Sequence, residues 1–178
     1  MTDKEFWKII EASKAMPNCN YERQSAALQE ILVKNYSPHD IVLFKYFLDI
    51  YKINLHRWDL FVAFRLITKQ SDEDYFLSFR EWLVGQGQEL YYNLIINPDS
   101  CLLELPSEPI LSLATTNINF SDAAINAYID LTGDNQVHSY IHLKDLPNEE
   151  WAQQGFNQME KFPLLSKKYF DNLDNNFN

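Results

Sequence analysis

Arg57, Asp59 and Arg80 are the residues of this chain whose types and placing suggest chemistry first. Arg57-Trp58-Asp59-Leu60 opens a stretch, ending at Gly87, that is crowded with aromatics and sets charged residues among apolar ones. At helical spacing Asp59 has Val62, Ala63 and Leu66 as neighbours, and Arg80 has Phe76, Leu83 and Val84. Both side chains therefore point toward apolar faces. An unpaired buried charge is expensive. The simplest pairing joins Asp59 to Arg80, a carboxylate accepting a guanidinium fork. Arg57 would cap a carbonyl or pair with Glu81 or Asp72. Two roles stay open for this cluster. It fixes how two helices pack, or it forms a polar pocket in which Arg57 and Arg80 hold an anionic ligand.

Other chemistry is harder to assemble. His138 and His142 are two ligands, half a metal site at best, and no Cys lies close in sequence. Their segment reads as extended, which would put them on one side of a strand. His56 beside Asp59 would make an acid–base pair if adjacency became contact. There is no Gly-rich phosphate loop, no G-x-S-x-G elbow and no CxxC pair. Cys19 follows a helix break without a nearby base. The expectation is a protein with no catalytic residues, no cofactor and no metal.

The elements that must position these residues are helical. The chain has 178 residues, 46% hydrophobic and 15% aromatic, enough for one domain with a sizeable core. Thr2 and Glu5 have capping-box spacing, and Phe6, Ile9 and Ile10 follow on one face. Met16-Pro17-Asn18 breaks that helix. A second is expected from Tyr21 to Lys34, with Ala27, Leu28, Ile31 and Leu32 inward. Ser37-Pro38-His39-Asp40 starts a third, apolar through Ile41, Phe44, Phe47, Leu48 and Tyr51, which should be central. A fourth takes in Trp58, Phe61, Phe64 and Ile67. Ser71-Asp72-Glu73-Asp74 caps a fifth, where Phe76, Phe79, Trp82 and Leu83 recur and Gly85 and Gly87 permit an end or bend. Glu89 to Ile96 reads as a sixth, stopped by Asn97-Pro98.

Leu105 to Pro109 reads as a loop. Ser121-Asp122 caps a further helix that ends at Thr132-Gly133. Gln136 to Leu146 is a short strand or a loop, Asn148 caps a late helix through Trp151, and a last turn surrounds Leu164 to Phe170. The fold class expected is mostly α: a single-domain helical bundle over residues 1–170, with an irregular acidic C-terminal part, at most a short strand pair, and a frayed tail at 171–178.

Net charge is −10, and it is uneven. From Asp99 to Glu160 ten carboxylates accompany one base, Lys144. Nucleic-acid binding is disfavoured, because phosphate contacts need clustered Lys and Arg. An acidic stretch suits a cationic protein partner through steering and rim contacts. The acids expected to meet it are Asp122, Asp130, Asp134, Asp145, Glu149 and Glu150, with Tyr128, Tyr140 and Trp151 as aromatic anchors. Two Cys are too few for a disulfide framework. The first residues lack the apolar run of a signal peptide, and no run approaches the ~20 apolar residues of a membrane span. A cytoplasmic location is the expectation.

Phe6-Trp7 in a capped first helix, Arg57-Trp58-Asp59-Leu60, Ser71-Asp72, Phe79-Arg80, Trp82-Leu83, Gln86-Gly87 and Pro98-Asp99 resemble bacterial domain-of-unknown-function family 4240. Ala123-Ala124, Tyr128 and Thr132-Gly133 extend the match, and Phe162-Pro163-Leu164 with Lys168-Tyr169 is similar to that family's end. The resemblance covers nearly the whole chain. That family usually carries a Gly-rich, Cys-containing link before its Ser-Asp pair, where this chain has Thr68-Lys69-Gln70. It has no established activity, so the resemblance implies no catalytic residues. Small acidic domains of this kind resemble immunity proteins encoded beside secreted bacterial toxins. The function expected is thus a non-catalytic, cytosolic, toxin-neutralising binding protein. Its rivals are an enzyme or small-anion binder using Arg57, Asp59 and Arg80, and a regulatory module that docks on another protein.

Overall fold

The structure is a computed structural model that describes residues 1–15, 20–106, 110–111, 120–135 and 158–174. Its helices are α1 (Asp3–Lys14), α2 (Tyr21–Asn35), α3 (Pro38–Asn54), α4 (Trp58–Thr68), α5 (Glu73–Gly85), α6 (Gln88–Ile96), α7 (Pro98–Glu104), α8 (Phe120–Thr132), the single turn α9 (Gln158–Lys161) and α10 (Pro163–Asp174). No strand occurs among the described residues. The all-α expectation holds. The expected strand or loop at 136–146 and the helix at 148–151 lie outside the described residues.

Local signals start the first helices. Thr2 and Glu5 close a capping box on α1, Asn20 caps α2, Ser37 and Asp40 close a second box on α3 with Pro38 in the first turn, and Asp72 caps α5. Each side-chain oxygen takes an N–H that the helix itself leaves without a partner. Asn97 was read as a stop for α6 and is also a start: its side chain accepts from Ser100 N–H, and Pro98 opens α7. The last helix reaches Asp174, further into the Asn-rich tail than expected.

Two groups of helices share one core. α8 packs against α2 and α3, and α1 against both of these; α4, α5, α6, α7 and α10 form the second group, joined to the first through α3–α5 and α1–α5 contacts. The expected centrality of α3 follows from its buried Ile41, Phe44, Leu48 and Tyr51. Aromatics fill the seam. Phe6 lies 4.9 Å from Phe44 and 5.0 Å from Tyr51, and Trp7 lies 4.6 Å from Tyr51 and 5.3 Å from Tyr91. Trp7 Nε1–H donates to Tyr51 Oη at 3.1 Å, so the one polar atom of that indole is satisfied. Between α4 and α5, Phe61 and Phe64 pack on Phe76, and Phe64 on Phe79, with centroids 5.1–5.6 Å apart.

Two backbone positions show where sequence choice matters. Gly87 has φ +101° and stands against Glu11, where a Cβ would collide with the carboxylate. Lys69 ends α4 in the left-handed region at φ +59° without being glycine, a conformation that Gly adopts at lower cost. It occupies the link where the resembled family usually has glycines.

Candidate functional site

The expected pair of Asp59 and Arg80 does not form. Asp59 binds Arg57 instead, two residues before it, in a bidentate contact: Nε to Oδ1 at 3.0 Å and Nη2 to Oδ2 at 2.5 Å. Arg57 precedes α4 in extended backbone, so its side chain folds back over the helix start. Its Nη1 also donates to the Ile95 carbonyl at 3.3 Å, the carbonyl-capping role expected of it. Asp59 Oδ1 takes Leu60 N–H as well. Both oxygens are thus engaged.

Arg80 is 3% exposed and separate from that pair. Its Nη1 donates to the Lys52 carbonyl at 3.1 Å, and its guanidinium lies 5.1 Å from the Phe76 ring centre. Burial lowers its pKa to about 10 against the pull of nearby Glu81. The helical phase correctly placed Arg80 inward, but its partners are a carbonyl and a ring rather than a carboxylate.

A buried ionic site is centred on Glu81, which is 3% exposed. One oxygen accepts from Tyr21 Oη–H at 3.2 Å and from the backbone N–H groups of Phe120 and Ser121. The other accepts from Lys52 Nζ and Ser121 Oγ–H, both at 2.8 Å. Lys52 is also 3.5 Å from Asp49. Burial alone would push the Glu81 carboxyl up; the Lys52 ammonium and the hydrogen bonds from Lys52 and Ser121 outweigh it and hold the group below the usual range. Burial, with the same carboxylate beside it, pushes the Tyr21 phenol far above its ordinary value. Sequence reasoning named Glu81 only as a possible partner for Arg57 and missed Lys52, Tyr21 and Ser121. Its one signal was a Glu between Arg80 and Trp82 in an apolar helix.

Glu81 caps α8 across 39 residues, one of three such contacts among the described residues. Asp99, 7% exposed, accepts from Leu164 N–H at 2.9 Å and Leu165 N–H at 3.0 Å at the start of α10. Glu11 accepts from Gln88 N–H at 3.2 Å at the start of α6, where Gly87 offers no capping side chain. Helix N-termini attract anions, and these carboxylates tie later helices to earlier ones. All three are engaged as acceptors, and Glu81 and Asp99 are buried.

Of the acids and aromatics expected to meet a partner, those described lie on or just after α8. Asp122 and Asp130 are exposed, with Asn126 between them, and they repeat every fourth residue on one face. Asp134 and Tyr128 are half-buried. Asp130 accepts from Gln29 Nε2–H at 2.9 Å. No Lys or Arg occurs from Phe120 to Gln136. Tyr140, Asp145, Glu149, Glu150 and Trp151 lie outside the described residues, as do His138, His142 and Cys19.

Two surface grooves border these elements. One, about 630 Å³, lies between α2 and α8. The other, about 420 Å³, is walled by Glu11, Lys14, Glu89, Cys101 and Glu104. Neither is lined by Arg57, Asp59 or Arg80. Burial, with Glu104 nearby, raises the Cys101 thiol pKa, the wrong direction for a nucleophile. Among the described residues no group of three His, Cys, Asp or Glu side chains is arranged to hold a metal ion, and no helix is long and apolar enough to cross a membrane.

Fold and site together define an all-α protein whose buried ions join helices and whose α8 turns carboxylates outward. The chain matches, over residues 1–128, the family described as Protein of unknown function (DUF4240), and it belongs to that family. The match takes in the Arg57–Asp59 pair, Arg80 and the Glu81 network. It stops at Tyr128, so the likeness read at Thr132-Gly133, Phe162-Pro163-Leu164 and Lys168-Tyr169 lies beyond it. No curated protein and no solved structure matches the chain.

Proposed function

We propose that this protein is a non-catalytic binding protein that docks a basic protein partner on the outward face of α8. The observation that carries the reading is the exposed row Asp122, Asn126, Asp130 on a helix without a single Lys or Arg. Carboxylates arranged on a surface speed encounter with a cationic partner, and neighbouring aromatics slow its escape. Asp134 continues the charge past the helix end, while Tyr128, two residues from Asn126 and from Asp130, lies on another side of α8 against the core. A further support is negative: the charged groups inside, which could have served an enzyme or an anion pocket, are bonded to one another, to carbonyls and to helix starts.

The specific role we favour is neutralisation of a bacterial toxin in the cytoplasm. The test is capture from source cells at low and high salt, using the native chain and an Asp122→Lys/Asp130→Lys/Asp134→Lys variant. The native chain should recover a basic protein that salt releases, and the variant should not. Coexpression with the product of an adjacent toxin-like reading frame should protect growth only with the native chain. Equal recovery by both chains would show that α8 is not the docking face.

A further inference from the structure

The groove between α2 and α8 shares Asp130 with the docking surface described above. Arg23, Ala26, Ala27, Glu30, Val33 and Lys34 line it from α2, and Asp130 from α8. On α2 these positions recur at three- and four-residue steps, so they form one stripe. From Arg23 to Lys34 the stripe is about 16 Å long, at the helical rise per residue. α8 runs alongside in the same direction, since Tyr21 packs on Phe120 (4.8 Å between rings) and Gln29 bonds Asp130. Ala26 is exposed and Ala27 almost buried, so the floor is low enough for another backbone to approach. On the α2 wall Lys34 is neutralised by Glu30 at 2.7 Å. On the α8 wall Asp130 has no base near it on its own helix.

We infer that this groove receives an amphipathic helix of the partner, whose apolar stripe seats on Ala26, Ala27 and Val33 while a Lys or Arg meets Asp130. The inference rests on the docking reading and adds to it the form of the bound segment. A groove about three turns long suits a helix better than a compact ligand. A second copy of this chain fits poorly, because two molecules of net charge −10 would bring like charges together along α8.

The test is fluorescence anisotropy with labelled synthetic peptides of ~14 residues, about four helical turns. One has an Ala/Leu stripe flanked by Lys, a second scrambles the same composition, and a third exchanges Lys for Glu. The first should bind, and the other two roughly tenfold more weakly or not at all. Ala26→Trp, at an exposed site, should keep the melting temperature and weaken the first peptide by roughly tenfold at every salt concentration. Asp122→Lys, outside the groove lining, should weaken it only at low salt. If the scrambled peptide binds equally, or Ala26→Trp changes nothing, the groove inference is wrong, while a salt-sensitive loss in Asp122→Lys would leave the docking reading standing. If the Lys-flanked peptide does not bind at all, the groove inference is overturned. If Asp122→Lys also leaves partner capture from cells unchanged, the docking reading falls with it.

Discussion

Glu81→Gln is the most demanding test of the interlock. The amide keeps the volume and one acceptor oxygen but removes the charge. Two donors point at one Glu81 oxygen and three at the other. An NH₂ group cannot accept, so either orientation loses bonds. The better one turns NH₂ toward Ser121 Oγ, whose hydroxyl can rotate to accept, and leaves Lys52 facing a donor. Removing one member of a buried ion pair costs about 3–5 kcal/mol. Lys52 is 12% exposed and keeps Asp49 at 3.5 Å, which argues for the low end, about 3 kcal/mol. With a urea slope of ~2 kcal/mol/M, the unfolding midpoint should fall by roughly 1.5 M.

The effect should also depend on pH with a defined sign. The Glu81 carboxyl is held below its ordinary range in the folded protein, so folding disfavours its proton. Its contribution is complete above the unfolded value of about 4.3 and is lost as pH falls through the folded value. The gap between native chain and variant should therefore be constant near neutrality and close in acid. Urea titrations from neutral pH down to the acid limit of folding measure both features. A deficit under about 1 kcal/mol at neutral pH, or a gap that acid leaves unchanged, would refute the view that Glu81 holds α8 as a charged group.

Asp99→Ala should cost about 1–2 kcal/mol, as loss of an N-cap does, and hydrogen exchange should speed first at the Leu164 and Leu165 amides; unchanged exchange there would exclude the cap. Lys69→Gly should raise stability by about 0.5–1 kcal/mol, the relief of the left-handed backbone less the greater freedom of the unfolded glycine, read as a melting temperature higher by ~1–4 °C. A lower value would mean that the Lys69 contact with the Tyr169 carbonyl outweighs the strain. Gly87→Ala should cost about 1–3 kcal/mol for the positive φ, and Glu11→Ala, which removes the α6 cap, should cost less in that background than in the native chain because it also clears the colliding carboxylate; equal costs in both backgrounds would mean that backbone strain alone is at work. Asp59→Ala should cost about 1 kcal/mol, since Arg57 is one-third exposed. Urea unfolding and partner capture would separate this from a ligand role, which predicts normal stability with lost binding.

What could be read from the sequence follows the reach of each interaction. Thr2, Ser37 and Asp72 serve N–H groups two or three residues on, so residue type and spacing announce them. The apolar periodicity of α3, α4 and α5 announces their buried faces for the same reason. Glu81 and Asp99 serve N–H groups 39 to 66 residues away, and no local pattern carries that pairing. The case of Arg80 lies between these. Its burial was visible in helical phase, but its partner depends on how α5 is rotated against α3, which one helix alone does not specify. Arg57 reached Asp59 because the extended residue before a helix can fold its side chain over the first turn. That contact, two residues apart, was within sequence range and was passed over for a longer one.

The acidic stretch is therefore less uniform than its composition suggests. Asp99 belongs to the count of surface charge but sits inside, bonded to α10. Asp122 and Asp130 project from a helix whose own start is gripped by Glu81. Phe120, at that start, lies against Tyr21 and so close to Gly85 that a Cβ there would strike its ring. These contacts restrict both the position and the tilt of α8. A partner that meets a helix already fixed loses less freedom on binding than one that must order it. In this arrangement the buried carboxylates make no direct contact with a partner. They set the orientation in which the exposed carboxylates are presented, so weakening the interlock should slow capture even with every surface acid in place.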